Sequence, residues 1–541
     1  MFRLRNYDKK GQPARGKEEN FFKNQKGRES RIFFALAFCR SKTVVFKNVG
    51  EFLSKFTPSQ ISESMNFFLK TCLVFLAAFL FANCNRKIQP DRTQFIKDGD
   101  EVPELNLAQY KSVQERPHQR PELAVAIAIS GGGSRAANFG LGALLGLEEI
   151  LLPDSSNALA EIDYFSTVSG GGFAGGAYIA ALCDHHYFED KEPFFLKNHV
   201  ETSIQNDLKH SFTGDIFKAD INPRFLFSYL DDGDVLEKSI DTHVLRFRDR
   251  HKKDRQRGQR SKKRSILLGD LFIDKDSLDK QVLFPMQFAN STILGKMVRF
   301  PFSPDILKTY RIVGYTHRLK NITAEKLNPY LVPLAVGIKA SGSFPVLISN
   351  TTLFSSYSKT RPYLHLIDGG LADNIGYQTA IEVLKQDPAS KKILFLIDAD
   401  NGGNRFTYSH KRGAEFSLKV LSRLPSSGLD SRRVTLEKDV REKCRELGII
   451  PIFLSFNILI RNNDTPPPNL IVRKEEQKEL LRLLKDDMEN LPPKYLQILY
   501  ELLVNIGTKY NIKEEEQKLL LLGGQKVVLM QKQAIQRMMA Q

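Results

Sequence analysis

Residues 164–177 read Y-F-S-T-V-S-G-G-G-F-A-G-G-A, and they constrain the fold more than any other stretch. A β-branched, apolar run over 162–168 stops at Ser169. Three glycines follow, and then a small-residue helical pattern over 173–183. Strand, serine, glycine turn and helix in that order is the layout of a nucleophile elbow. On such a turn the serine hydroxyl is pushed out of the sheet edge. The glycines let backbone and ligand approach closely, and the next helix aims its first amides at the same point. The same pattern also suits a strand-to-helix turn whose serine is only an N-cap, so other residues must decide.

A second stretch has the same grammar. Leu123–Ile129 is a continuous apolar run, as in a parallel strand buried on both faces. It enters Ser130, the triplet Gly131, Gly132 and Gly133, then Arg135, and a helical pattern over 136–151. Further on, a short strand over 364–367 ends at Asp368-Gly369-Gly370, ahead of a helical pattern over 374–385, and 393–397 is another buried-type strand. Strands alternating with helices, with glycine turns at strand ends, indicate an α/β fold with its site at the carboxyl ends of the strands. Residues 267–290 and 297–302 contain expected strands, and 225–245 an expected helix.

The charge is unevenly placed. Of the net +17, residues 1–64 carry +8 and residues 246–264 carry +9, so the remainder is neutral. This argues against a nucleic-acid-binding core and for basic appendages facing an anionic surface. The five cysteines show no CxxC spacing and the ten histidines no metal spacing, so neither a disulfide scaffold nor a metal or other cofactor is expected. Residues 1–64 are polar and basic and are expected to be disordered or absent from the mature protein. In 65–84, the apolar run 71–82 is shorter than the ~20 residues of a membrane span and has the length of a signal-peptide core. Phe81-Ala-Asn-Cys84 resembles a bacterial lipobox, with Asn83 in place of the usual small residue. It makes Cys84 the expected lipidation site of an exported, membrane-anchored protein, with Met65 as the start. Residues 85–121 suit a tether, 122–400 the catalytic domain, and 401–541 a mostly helical C-terminal region.

Acyl transfer needs a nucleophile, a base and donors for the oxyanion. Ser169 can be the first, Asp368 the second, and the amides of Gly131, Gly132 and Gly133 the third. Arg135 can steady that loop or attract an anionic head group, while Gly171 and Gly370 support the two turns. Asp-Gly is also a common turn pair. The glycine triplet has neither a G-x-G-x-x-G register nor the Lys-Ser/Thr of a P-loop, which ranks a dinucleotide-binding oxidoreductase last.

Glycine loop with following arginine, serine turn, A-S-x-S-x-P over 340–345 and Asp-Gly-Gly, in this order, resemble the patatin-like phospholipases over about residues 123–400. The resemblance implies a three-layer fold with a mainly parallel sheet and a Ser–Asp dyad without histidine. Ser169 would attack an ester carbonyl of a phospholipid or other glycerolipid drawn from a membrane surface, Asp368 would accept its proton, and Gly131–Gly133 would hold the oxyanion. Two positions depart from the family pattern: Thr167 replaces the first glycine of G-x-S-x-G, and Ser130 stands where an acidic residue is common. The alternatives are an inactive lipid-binding or interaction protein on the same fold, and a Ser169–Asp368–His410 triad, whose chain order matches that of α/β-hydrolases.

Overall fold

The structure is a computed structural model that describes residues 110–116, 118, 120–188, 193–210, 212, 214–215, 232–245, 265–272, 284–315, 327–345, 347–357, 363–399, 436–460, 472–509 and 511–540. Two compact units divide the chain, Met1–Thr93 and Gln94–Gln541, and every described residue lies in the second. The expected leader with Cys84, most of the tether, the basic stretch 246–264 and His410 all fall outside the described residues.

Among the described residues nine strands form one sheet: β1 (Leu123–Ile129), β2 (Tyr164–Val168), β3 (Met286–Ile293), β4 (Val298–Phe302), β5 (Ile312–Tyr315), β6 (Thr351–Ser355), β7 (Tyr363–Asp368), β8 (Lys391–Asp398) and β9 (Ile449–Ser455), in the order β5-β6-β7-β3-β2-β1-β8-β9 with β4 paired to β3. The five strands β3, β2, β1, β8 and β9 run parallel through the centre. Antiparallel pairing is confined to the side beyond β3. This is the mainly parallel α/β sheet expected from the sequence.

Both faces of the centre are covered. Helices α1 (Gly133–Glu148) and α2 (Gly170–Phe188) follow β1 and β2, α3 is Asp232–His243, α4 is Leu334–Ser341, and α5 is Tyr377–Gln386. Neighbouring residues of β2 point to opposite faces, as a strand requires. Thr167 packs beneath Gly172 and Gly175 of α2, whereas Ser166 donates to the carbonyl of Gly376 at the start of α5. Helices therefore sandwich the sheet, and β1, between them, has every residue buried.

The C-terminal region belongs to this same body. Strand β9 extends the parallel sheet beside β8. Of α6 (Lys474–Asp486), α7 (Pro493–Val504), α8 (Glu514–Leu529) and α9 (Lys532–Ala540), α8 lies directly on α1. Their backbones almost touch: a Cβ on Gly142 would stand 2.1 Å from the Leu521 carbonyl, and one on Gly524 2.3 Å from the Phe139 carbonyl. Among the described residues no helix is long and apolar enough to cross a membrane.

Two stretches fold in ways the sequence pattern left open. Among the described residues of the 267–290 stretch, Leu268–Leu271 form a helical turn and Met286 begins strand β3. The run ahead of 340 is the helix α4, whose eight residues are all buried, its polar Lys339 and Ser341 being satisfied by hydrogen bonds to Ser349 O and Thr351 Oγ1 and to Asn290 O.

Candidate functional site

Ser169 stands between the last residue of β2 and the first of α2 with φ of +47°. A non-glycine residue pays to occupy this left-handed region, and such outliers persist only where the surroundings enforce them. Here the Ser169 amide donates to Ser341 Oγ at 2.8 Å, and the Gly172 amide donates to Ser169 O at 2.9 Å. Gly170 closes the turn, since a Cβ there would be 2.0 Å from the Gly133 carbonyl. Thr167, the departure from the strict elbow pattern, remains inside β2, where its hydroxyl accepts from Gln287 Nε2 at 3.1 Å. Ser130, the other departure, caps the end of β1: its hydroxyl accepts from the Ala399 amide at 3.0 Å and so ties β1 to the end of β8.

Asp368 ends β7 opposite Ser291 of β3. Its amide donates to Ser343 O at 2.9 Å and that of Gly369 to Ser341 O at 3.2 Å, so the 340–345 segment holds the serine turn and the aspartate turn together. The carboxylate is buried. Oδ1 accepts from the Gly370 amide at 2.8 Å, while Oδ2 has no well-formed hydrogen bond among the described residues. Burial pushes the Asp368 carboxyl up from 3.8 to about 6, against the opposing pull of the Gly370 amide and then of the Ser169 hydroxyl. The Ser169 hydroxyl thus lies near enough to lower the pKa of the Asp368 carboxyl, without a well-formed hydrogen bond to Oδ2.

The glycine triplet is only partly as expected. The Gly131 amide donates to Asn374 O at 2.8 Å and so is not open to an oxyanion. Gly132 and Gly133 take φ of +140° and +60°. Gly133 bridges to Lys509, and the Ser134 amide donates to Lys509 O at 2.8 Å. Arg135 is only 3% exposed and donates from Nη1 to Ile506 O at 3.0 Å. It braces the loop against the chain after α7, and its burial removes the alternative of fetching a head group from solvent. Gly171 lies against the end of β1, where a Cβ would be 2.5 Å from Ile129 O.

Ser169 also forms part of the wall of a pocket. The rest of its lining is glycine or apolar apart from Ser134: Ala137, Phe173, Leu208, Phe212, Leu236, Ile240 and Ile338 all face it. An alkyl chain suits such a lining, because burying it there removes apolar surface from water.

Two further residues position the turn. Ser341, the first serine of the A-S-x-S-x-P segment, accepts at Oγ from the Ser169 amide and donates to Asn290 O. The buried Asn290 spans β2 and α5: its Nδ2 donates to Ser166 Oγ at 2.9 Å, and its Oδ1 accepts from Thr379 at 2.6 Å. β3 carries four polar residues, Gln287, Asn290, Ser291 and Thr292, all buried, so its sequence did not single out Asn290.

The order of the motifs and the geometry around Ser169 are those that a comparison of families can test. Residues 127–381 match the Patatin-like phospholipase family. The patatin-like stretch spans β1 to α5 and includes Ser169 and Asp368. No curated protein matches the chain in sequence. Similar solved structures include human GIVD cytosolic phospholipase A2, at 12% identity and TM-score 0.36 over 79% of this chain and 64% of that one. The same human protein in complex with methyl gamma-linolenyl fluorophosphonate aligns at 14% identity and TM-score 0.38, over 79% and 60%. VipD from Legionella pneumophila aligns at 11% identity and TM-score 0.22, over 76% and 92%. The chain thus covers less than two thirds of the human enzyme's length.

Proposed function

We propose that this protein is a serine lipid acyl hydrolase acting on phospholipids or other glycerolipids. The observation that carries the reading is a serine held at positive φ against a buried carboxylate, on the wall of an apolar cavity. The patatin-like match supports the lipid class. Ser169 Oγ attacks the ester carbonyl while its proton passes to Asp368. The amides of Gly132 and Gly133 stabilise the oxyanion, and Gly131 shapes the loop. Asp368 then returns the proton to the leaving alcohol. Water, deprotonated by the same carboxylate, hydrolyses the acyl-serine and releases the fatty acid. The acyl chain occupies the cavity. Delivery to a membrane surface falls to a lipid on Cys84 together with the basic stretch 246–264, since one acyl chain alone anchors weakly.

The test is labelling of Ser169 by an alkyl fluorophosphonate, located by mass spectrometry, together with fatty-acid release from phosphatidylcholine vesicles. Ser169→Ala should abolish labelling and cut release by at least ~10³-fold, while His410→Ala should leave both intact. An equally dead His410→Ala puts the triad in place of the dyad. Vesicle binding that survives Ser169→Ala, with no labelling of the wild type, assigns the chain to non-catalytic lipid binding. Cys84→Ala should release the protein from the membrane fraction.

A further inference from the structure

Three side chains that acyl transfer does not use meet where two separate segments wall the cavity. His210 follows the short helix Gln205–Leu208, Asp215 lies five residues later, and His243 is the last residue of α3. The two imidazoles stack with centroids 3.6 Å apart and planes 17° apart. His210 Nε2 lies 2.5 Å from Asp215 Oδ2, which also accepts from Ser239 Oγ on α3 at 2.8 Å. One nitrogen or oxygen from each of His210, Asp215 and His243 falls within 4.8 Å of the others. All three residues are half-buried, so solvent reaches them.

Two imidazole nitrogens and a carboxylate oxygen are a donor set for zinc or a neighbouring transition metal. Calcium and magnesium prefer oxygen alone. Zinc sits about 2.0–2.2 Å from such atoms, so the donors must close to a little over 3 Å from one another. The observed spacing brackets that figure, and one of the stacked imidazoles must unstack and turn so that both in-plane lone pairs meet the ion. Linear spacing could not reveal the group, because two of its members are separated by a long stretch of chain.

We propose that His210, Asp215 and His243 bind one divalent transition-metal ion of the zinc class, with water completing the coordination. The ion staples α3 to the 205–215 segment. Leu208 and Phe212 from one segment and Leu236 and Ile240 from the other face the cavity, so the staple fixes two of its walls. Its effect on acyl-chain binding rests on the hydrolase reading; binding of the ion does not.

The experiment is calorimetric titration of the full chain, stripped with chelator and dialysed, with zinc sulfate. Cobalt(II) replaces zinc in a parallel titration read by visible absorption. One ion per chain is expected, with the intense bands of a four-coordinate cobalt site. His243→Ala and the near-isosteric Asp215→Asn should each weaken binding more than the ~10- to 100-fold that loss of an outer-shell partner costs, and should remove the bands. Should His243→Ala not fold, Asp215→Asn decides. Ser169→Ala should bind the ion like the wild type, which separates this site from the fate of the hydrolase reading. No stoichiometric binding by the wild type, or affinity unchanged in Asp215→Asn, overturns the proposal.

Discussion

On the proposed reading, Asp368→Asn should abolish fatty-acid release and at the same time stabilise the protein. The Asp368 carboxyl rises from 3.8 to about 6 because it is buried. At 1.36 kcal/mol per pKa unit, the folded protein therefore carries a penalty of about 3 kcal/mol once the group is ionised. The sign follows from proton binding. The folded state holds this proton more tightly than the unfolded chain, so the wild type is favoured below pH 3.8 and loses that advantage as pH rises through 6. Asparagine has no charge to bury, and its amide oxygen can still accept from the Gly370 amide as Oδ1 does. The variant should thus be more stable than the wild type by up to about 3 kcal/mol at pH 8, and the gap should close near pH 4. Urea unfolding followed by far-ultraviolet circular dichroism measures this, the chain having no tryptophan. Over the same range, kcat/KM of the wild type should fall as pH drops below about 6, where the base becomes protonated. A variant no more stable than the wild type at pH 8, or a gap independent of pH, would refute the claim that burial sets this carboxyl.

Gly170→Ala should lose activity and destabilise the fold, because its Cβ would enter the space of the Gly133 carbonyl at 2.0 Å; fatty-acid release and the urea midpoint both read this. Ser341→Ala leaves the Ser169 amide without its acceptor, at about 1–3 kcal/mol, and should lower kcat more than it raises KM. His118 bridges Asp163 and Asp387 at 3.1 and 3.0 Å. Burial alone would lower its pKa, but the hydrogen bonds to the two carboxylates outweigh burial and raise it from 6.5 to about 9. Its contribution is full below pH 6.5 and fades as pH rises through 9, so the stability gap between wild type and His118→Gln should shrink across that window in pH-dependent thermal unfolding.

The parts legible in the sequence are those with a strong local pattern. The apolar run of β1 coincides with the strand residue for residue, because burial on both faces leaves no polar position. The serine turn and Asp368 stand at strand ends as expected. What escaped reading depends on distant partners. Helix α2 begins at Gly170 rather than 173, since contact with Gly133 overrides the poor helix propensity of glycine. Strands β5 and β6 are short and lie on the antiparallel side, where pairing supplies what local preference does not. Gly131 could not be told from its neighbours, because only the fold brings Asn374 to its amide. The domain boundary expected at 401 does not separate bodies, because β9 completes the sheet.

The tie between Gly133 and Lys509 has a consequence in time. A ribosome emits the glycine loop long before the Lys509 backbone that props it, so the loop gains that support only once residue 509 has emerged. The shape of that loop is thus set by a segment far downstream, and truncation ahead of residue 509 should leave the Gly133 turn without its backbone partner.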